Sequence, residues 1–227
     1  MDKKTNNAVI SAKVVLLVEI LFFLVWRFSG WAPRPIPIGN PLFLILVTAS
    51  LFLPLSVDRR NWKSMGLFKG HVNSKIIGMG LVFGIALSIL GFTLIIPGYE
   101  VLTDSQFDTS FFEQLRGNTT LLAAAIGISI VYAGFAEEMI YRGFIMNRII
   151  DLFGGAKMAK ILGVVGSVVI FAMAHSYQGI VGILSSGTVG LILALIYLKY
   201  GRNLWIVIIT HATIDIVASI LIYLSIF

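Results

Sequence analysis

Residues Leu204–Phe227 read LWIVIITHATIDIVASILIYLSIF, an apolar run whose one formal charge is Asp215. A helix needs about 20 such residues to cross the hydrocarbon of a bilayer, so this run predicts a transmembrane helix. Further apolar runs lie upstream at Ala8–Phe28, Pro41–Val57, Ile76–Ile96, Leu121–Ala136, Ile161–His175 and Ile180–Leu198. The first has no small-residue cleavage site and more runs follow it, unlike a cleavable signal peptide. The expected fold is all-α: a polytopic α-helical membrane protein with about seven transmembrane helices, or eight. Residues 1–227 read as a single integral membrane domain, with an N-terminal three-span portion at 1–118 and a helix bundle at 119–227.

Composition supports this from the other direction. Of 227 residues, 58% are hydrophobic and only 12% charged, against about 25% charged in a soluble domain. The mean hydropathy is +0.94. A cytosolic domain could not hide that much apolar surface, and disorder requires the opposite composition. The absence of cysteine excludes a disulfide scaffold, Cys-ligated zinc, an iron–sulfur cluster and a thiol nucleophile. The net charge of +6 is no nucleic-acid signal, because the basic residues sit in short gaps between apolar runs rather than in one patch.

Those gaps set an expected orientation. Lys3 and Lys4 precede the first run; Arg59, Arg60, Lys63, Lys69 and Lys75 follow the second. Arg142, Arg148, Lys157 and Lys160 follow the fourth, and Lys199 and Arg202 the sixth. The gap after the third run is acidic instead, with Glu100, Asp104, Asp108 and Glu113 beside Arg116. The positive-inside rule then predicts a multi-pass cell-membrane protein with a cytoplasmic N-terminus.

A charge at membrane depth costs about 2.5–3.5 kcal/mol on insertion scales, so each one needs a reason to persist. Of three histidines, His71 lies in a basic gap, while His175 and His211 fall within apolar runs. Glu19, Glu137, Glu138 and Asp215 do the same; Glu19 stands alone and reads as structural or interfacial. Glu138 and Arg142 are i and i+4 on a helix and can pair. Glu137 points about 100° away around the helix, without an in-helix partner, which suits a general base. Phe171 and His175 share a helix face, as do His211 and Asp215, the latter as metal ligands or an orienting pair would. Each stretch also has a plainer reading: a solvated helix end at 137–142, and polar packing contacts between helices at 175 and at 211–215.

Together the residues suffice for hydrolysis without a covalent intermediate: a carboxylate base, a histidine that assists water or protonates the leaving amine, and a second histidine that polarises the carbonyl. No His-Glu-x-x-His helix is present. Glu137, His175 and His211 also form a set chemically able to hold zinc with one open position. Metal dependence stays open, with the metal-free glutamate route slightly preferred.

Glu-Glu-x-x-x-Arg, then Phe-x-x-x-His, then a histidine followed four residues later by a polar residue, on three apolar segments, resembles the CPBP (Abi) family of intramembrane proteases, which includes the type II CAAX prenyl endopeptidases. Glu137, Glu138, Arg142, Phe171, His175 and His211 match its motifs, and Gly190–Gly201 resembles the helix before its last histidine. The resemblance runs from about Leu121 to Asp215, making 119–227 a CPBP-like catalytic bundle. It implies a protease acting on a membrane-associated or lipidated peptide or protein at the bilayer. Glu137 with His175 would activate water, Glu138 with Arg142 would hold the site together, and His211 with residue 215 would face the oxyanion. The chain departs from the prenyl-CAAX pattern in having Asp215 for Asn, and a carboxylate cannot donate to an oxyanion unless protonated. Asp215 could instead orient His211 or bind a metal. Two other functions fit buried Glu, Asp and His: an ion-coupled transporter, though no inverted repeat is visible, and a non-catalytic protein of bacteriocin immunity or regulation.

With straight spans, Glu137 and His175 would lie near opposite ends of the bundle and His211 about 10 Å deep. The three can converge only if the fourth helix runs on past Tyr141, or if Ser176–Gly187 dips into the membrane as a broken segment.

Overall fold

The computed structural model describes residues 65–67 and 72–227. The apolar runs at 8–28 and 41–57, Glu19 and His71 lie outside the described residues. Within them, five helices are long and apolar enough to cross a membrane: α1 (Ser74–Thr103), α2 (Thr119–Leu152), α3 (Lys157–Ala174), α4 (Ser176–Lys199) and α5 (Leu204–Tyr223). No strand occurs among the described residues.

Asparagine starts three of these helices. Asn73, Asn118 and Asn203 each stand in extended conformation and accept a backbone N–H of the first turn, from Ile76, Leu121 and Trp205. Such a cap satisfies a donor that the helix itself cannot. Between α4 and α5 the chain reverses through Gly201 (φ 68°) and Arg202 (φ 61°). Met65–Gly66 tucks against this turn, where the Gly66 carbonyl accepts from Leu204 N at 3.1 Å; a Cβ at Gly66 would overlap the Arg202 carbonyl.

α1 lies against α5 through its glycines. A Cβ on Gly80 would stand 2.7 Å from Ile209 Cβ, and one on Gly84 would collide with Thr213. Thr210 Oγ1 donates to the Ile206 carbonyl at 2.7 Å and to the Gly80 carbonyl at 3.3 Å. The Gly-xxx-Gly pair is therefore a packing seam within the chain. α1 also reaches α4, where the Tyr99 and Thr188 hydroxyls bond at 2.8 Å.

The fourth helix does run on. α2 continues without a break beyond Ala136 to Leu152, but much of it is π-helical, over Ser129–Glu137 and Met139–Met146. Pairing i to i+5 widens the turn, and such stretches favour functional sites. Neighbouring side chains bond several carbonyls here: Ser167 Oγ donates to the Tyr141 carbonyl and Asn147 Nδ2 to that of Gly143, both at 2.9 Å. Close helices hold the segment, since a Cβ on Gly134 would lie 2.8 Å from that of Ala212 on α5.

Two expectations need correction. Arg142 and Arg148 were assigned to a cytoplasmic gap, yet both are buried within α2. The broken inward segment over 176–187 is also not what forms. A short 3-10 turn at Ser176–Gln178 leads directly into regular helix from Gly179 onward, with Gly187 pressed toward Ala172 of α3.

Candidate active site

Polar contacts from all four helices of the 119–227 bundle meet around Glu138. Its Oε1 accepts from Arg142 Nη1 at 2.6 Å, one turn along α2, and from His211 Nδ1 at 2.7 Å, across on α5. Arg142 extends Nη2 to the Gly190 carbonyl of α4 at 2.9 Å, and its guanidinium lies 4.6 Å over the Phe171 ring of α3. Glu138 and Arg142 are 0% exposed and His211 is 4%. Glycine at 190 is needed for this approach: a Cβ there would lie 2.9 Å from Phe171 Cδ1 and 3.4 Å from Arg142 Nη2.

Phe171 links the remaining groups. Its ring meets Tyr141 edge-on at 5.0 Å, His211 at 5.7 Å and His175 at 4.6 Å. His175 is the residue that ends α3, with φ −97° and ψ 15°. Its Nδ1 lies 2.8 Å from the Phe171 carbonyl. A carbonyl only accepts, so Nδ1 carries the proton and a neutral ring keeps its lone pair on Nε2.

Glu137 is half-buried, and its Oε2 is buried with no hydrogen-bond partner among the described residues. His211, Asp215, Glu138 and Arg142 all lie within electrostatic reach of it. A carboxylate oxygen so placed can take a proton from a small molecule beside it. Asp215 faces the far side of the His211 ring, with Oδ1 3.9 Å from Nε2. That is too long for a hydrogen bond. The in-helix His211–Asp215 pair is thus a loose one, and the carboxylate that orients His211 is Glu138.

Among the described residues, no three His, Asp or Glu side chains are gathered so as to hold a metal ion. Nδ1 of each site imidazole is already engaged, which leaves Nε2 as the nitrogen open to a further ligand.

Sequence reasoning passed over Tyr177. Its ring stacks on His175 at 6.1 Å and 27°, and it meets Phe111 and Phe112 at 5.4 and 6.3 Å. These phenylalanines belong to the acidic loop between α1 and α2, where hydrogen bonds from the Ser110 hydroxyl and amide hold the Asp108 carboxyl below its ordinary range. An aromatic two residues past the motif histidine was the available signal.

A buried carboxylate–arginine–histidine cluster thus lies beside a second histidine inside a bundle of apolar helices. Residues 119–217 match the family model described as Type II CAAX prenyl endopeptidase Rce1-like. That match makes the bundle similar to the CPBP/CAAX protease family and supports an intramembrane protease of the CAAX prenyl endopeptidase-like kind. No curated protein and no solved structure matches the chain significantly.

Proposed function

We propose that the protein is an endopeptidase that hydrolyses a peptide bond of a membrane-associated protein or peptide, using water activated by Glu137 and His175. The reading rests on one observation: Glu137 presents a buried carboxylate oxygen with no hydrogen-bond partner among the described residues, beside a cluster in which Glu138 Oε1 takes both Arg142 Nη1 and His211 Nδ1. Glu137 takes a proton from water as the oxygen attacks the scissile carbonyl carbon. His175, with its lone pair on Nε2, accepts a hydrogen bond from that water and aligns it. The tetrahedral oxyanion faces His211, which Glu138 orients through Nδ1 and which donates from Nε2 when that nitrogen carries a proton. Glu137 then returns the proton to the departing amine, leaving a carboxylic acid and an amine. Asp215 flanks the oxyanion side and shapes its charge without donating to it.

The test is cleavage of an internally quenched prenylated CAAX peptide by the purified protein in detergent. Glu137→Gln and Glu137→Ala should lower kcat by at least the 100-fold typical of lost acid–base catalysis, and His175→Ala likewise. Retained cleavage in these variants would end the mechanism. Prolonged chelation should leave the rate unchanged; a loss restored by zinc would return Glu137, His175 and His211 as ligands.

A further inference from the structure

His175 is held differently from the other site residues. Glu138, Arg142 and His211 lie within helices, whereas His175 follows the last turn of α3 and its backbone leads into the short 3-10 turn. Its Nδ1 donates to the Phe171 carbonyl, and two aromatic rings pack against the imidazole and help to set its angle. The Phe171 ring lies 4.6 Å away at 51°, and the Tyr177 ring stacks at 27°.

Tyr177 is in turn buttressed from outside the family-matched region. Phe111 and Phe112 pack edge-on against one another at 4.9 Å, and both meet Tyr177. They ride on a 3-10 turn, Ser110–Leu115, that is tied down on both sides. Asp108 N donates to the Gln178 carbonyl at 3.2 Å and Gly117 N to the Tyr223 carbonyl at 3.0 Å. Gln178, buried beside Tyr177, donates Nε2 to the Tyr177 hydroxyl at 3.2 Å. The loop before α2 thus braces the aromatic that stacks on the histidine. Aromatic pairs at these separations prefer defined offsets and tilts, so the stack fixes an angle as well as filling space.

We infer that Tyr177, backed by Phe111, is a positioning residue for the hydrolytic reaction: it holds the His175 ring at the angle that aims Nε2 at the attacking water, and so makes the 105–118 loop part of the catalytic apparatus. This rests on the protease reading given above. A misaimed base loses rate while substrate binding elsewhere is untouched, which gives the role its signature.

The experiment uses the full chain in detergent and the same quenched prenylated CAAX peptide, comparing Tyr177→Phe, Tyr177→Leu, Phe111→Leu and His175→Ala. Tyr177→Phe keeps the ring and should retain kcat within about twofold. Tyr177→Leu should lower kcat roughly tenfold or more with KM unchanged, and Phe111→Leu should do so less severely, with melting temperatures near that of the unsubstituted protein. A Tyr177→Leu protein with unchanged kcat overturns the inference, as does a loss that Tyr177→Phe shares or that falls on KM alone. If instead His175→Ala cleaves at full rate, or the unsubstituted enzyme does not cleave, the protease reading fails and takes this role with it.

Discussion

Arg142 serves three partners at once: the Glu138 carboxylate, the Gly190 carbonyl and the face of Phe171. Only a planar fork with several donors does this; an ammonium is a point charge that can take one or two of them. Removing one member of a buried ion pair costs about 3–5 kcal/mol because the other charge is stranded. Arg142→Met should therefore lower the thermal midpoint in detergent sharply and Arg142→Lys by less, both abolishing cleavage. The double variant Glu138→Leu/Arg142→Met removes both charges and should recover most of the lost stability with no activity, which separates holding the bundle together from catalysis. An Arg142→Met protein that melts with the parent would refute the account. The Glu138–Arg142 contact was legible in the sequence, because i and i+4 spacing is local. The partner of His211 was not. Spacing pointed to Asp215 one turn away, whereas the carboxylate that takes its Nδ1 comes from α2, and only tertiary packing brings the two together.

At the scale of the elements, hydropathy located α3, α4 and α5 to within four residues, ended α1 seven residues early, and ended α2 far too early. The expected run stopped at Ala136 because Glu137, Glu138, Arg142, Asn147 and Arg148 depress any apolar window. In the bundle those groups face one another and their neighbours rather than water, so the helix continues to Leu152. Its π-helical turns were equally hidden, since they follow from what packs around α2 and not from its own composition. The glycines of α1 show how packing decides between identical residues. Gly84 faces Thr213 across the α1–α5 seam, whereas a Cβ on Gly78 would meet nothing within 4 Å. Gly84→Ala should destabilise the protein by about 1–3 kcal/mol, the usual cost of overpacking. Gly78→Ala should be neutral or stabilise it by up to about 1 kcal/mol through helix propensity. Thermal unfolding in detergent reads both; equal effects of the two substitutions would mean that the seam is not where these contacts place it.

For the whole molecule, charge separates the two ends of the bundle. Asp104, Asp108 and Glu113 are exposed on the loop between α1 and α2, while Lys157, Lys160 and Lys199 are exposed at the opposite helix ends. The backbone bond from Gly117 to Tyr223 puts the end of α5 on the acidic side, as an antiparallel run of helices from α1 to α5 requires. Arg142 and Arg148, once moved from the gap into α2, no longer count toward topology, yet the lysines alone keep the bias in the direction of a cytoplasmic basic end. The chain has no cysteine, so one introduced thiol reports on one position. In intact cells a membrane-impermeant maleimide should label Asp104→Cys, and should label Lys157→Cys only after permeabilisation. The reverse pattern would invert the orientation. Labelling of both from one side would be the more damaging result: α2 alone crosses between these positions apart from the loops at its ends, and a helix that carries Glu137, Glu138 and Arg142 into the bilayer must place them on opposite faces of it.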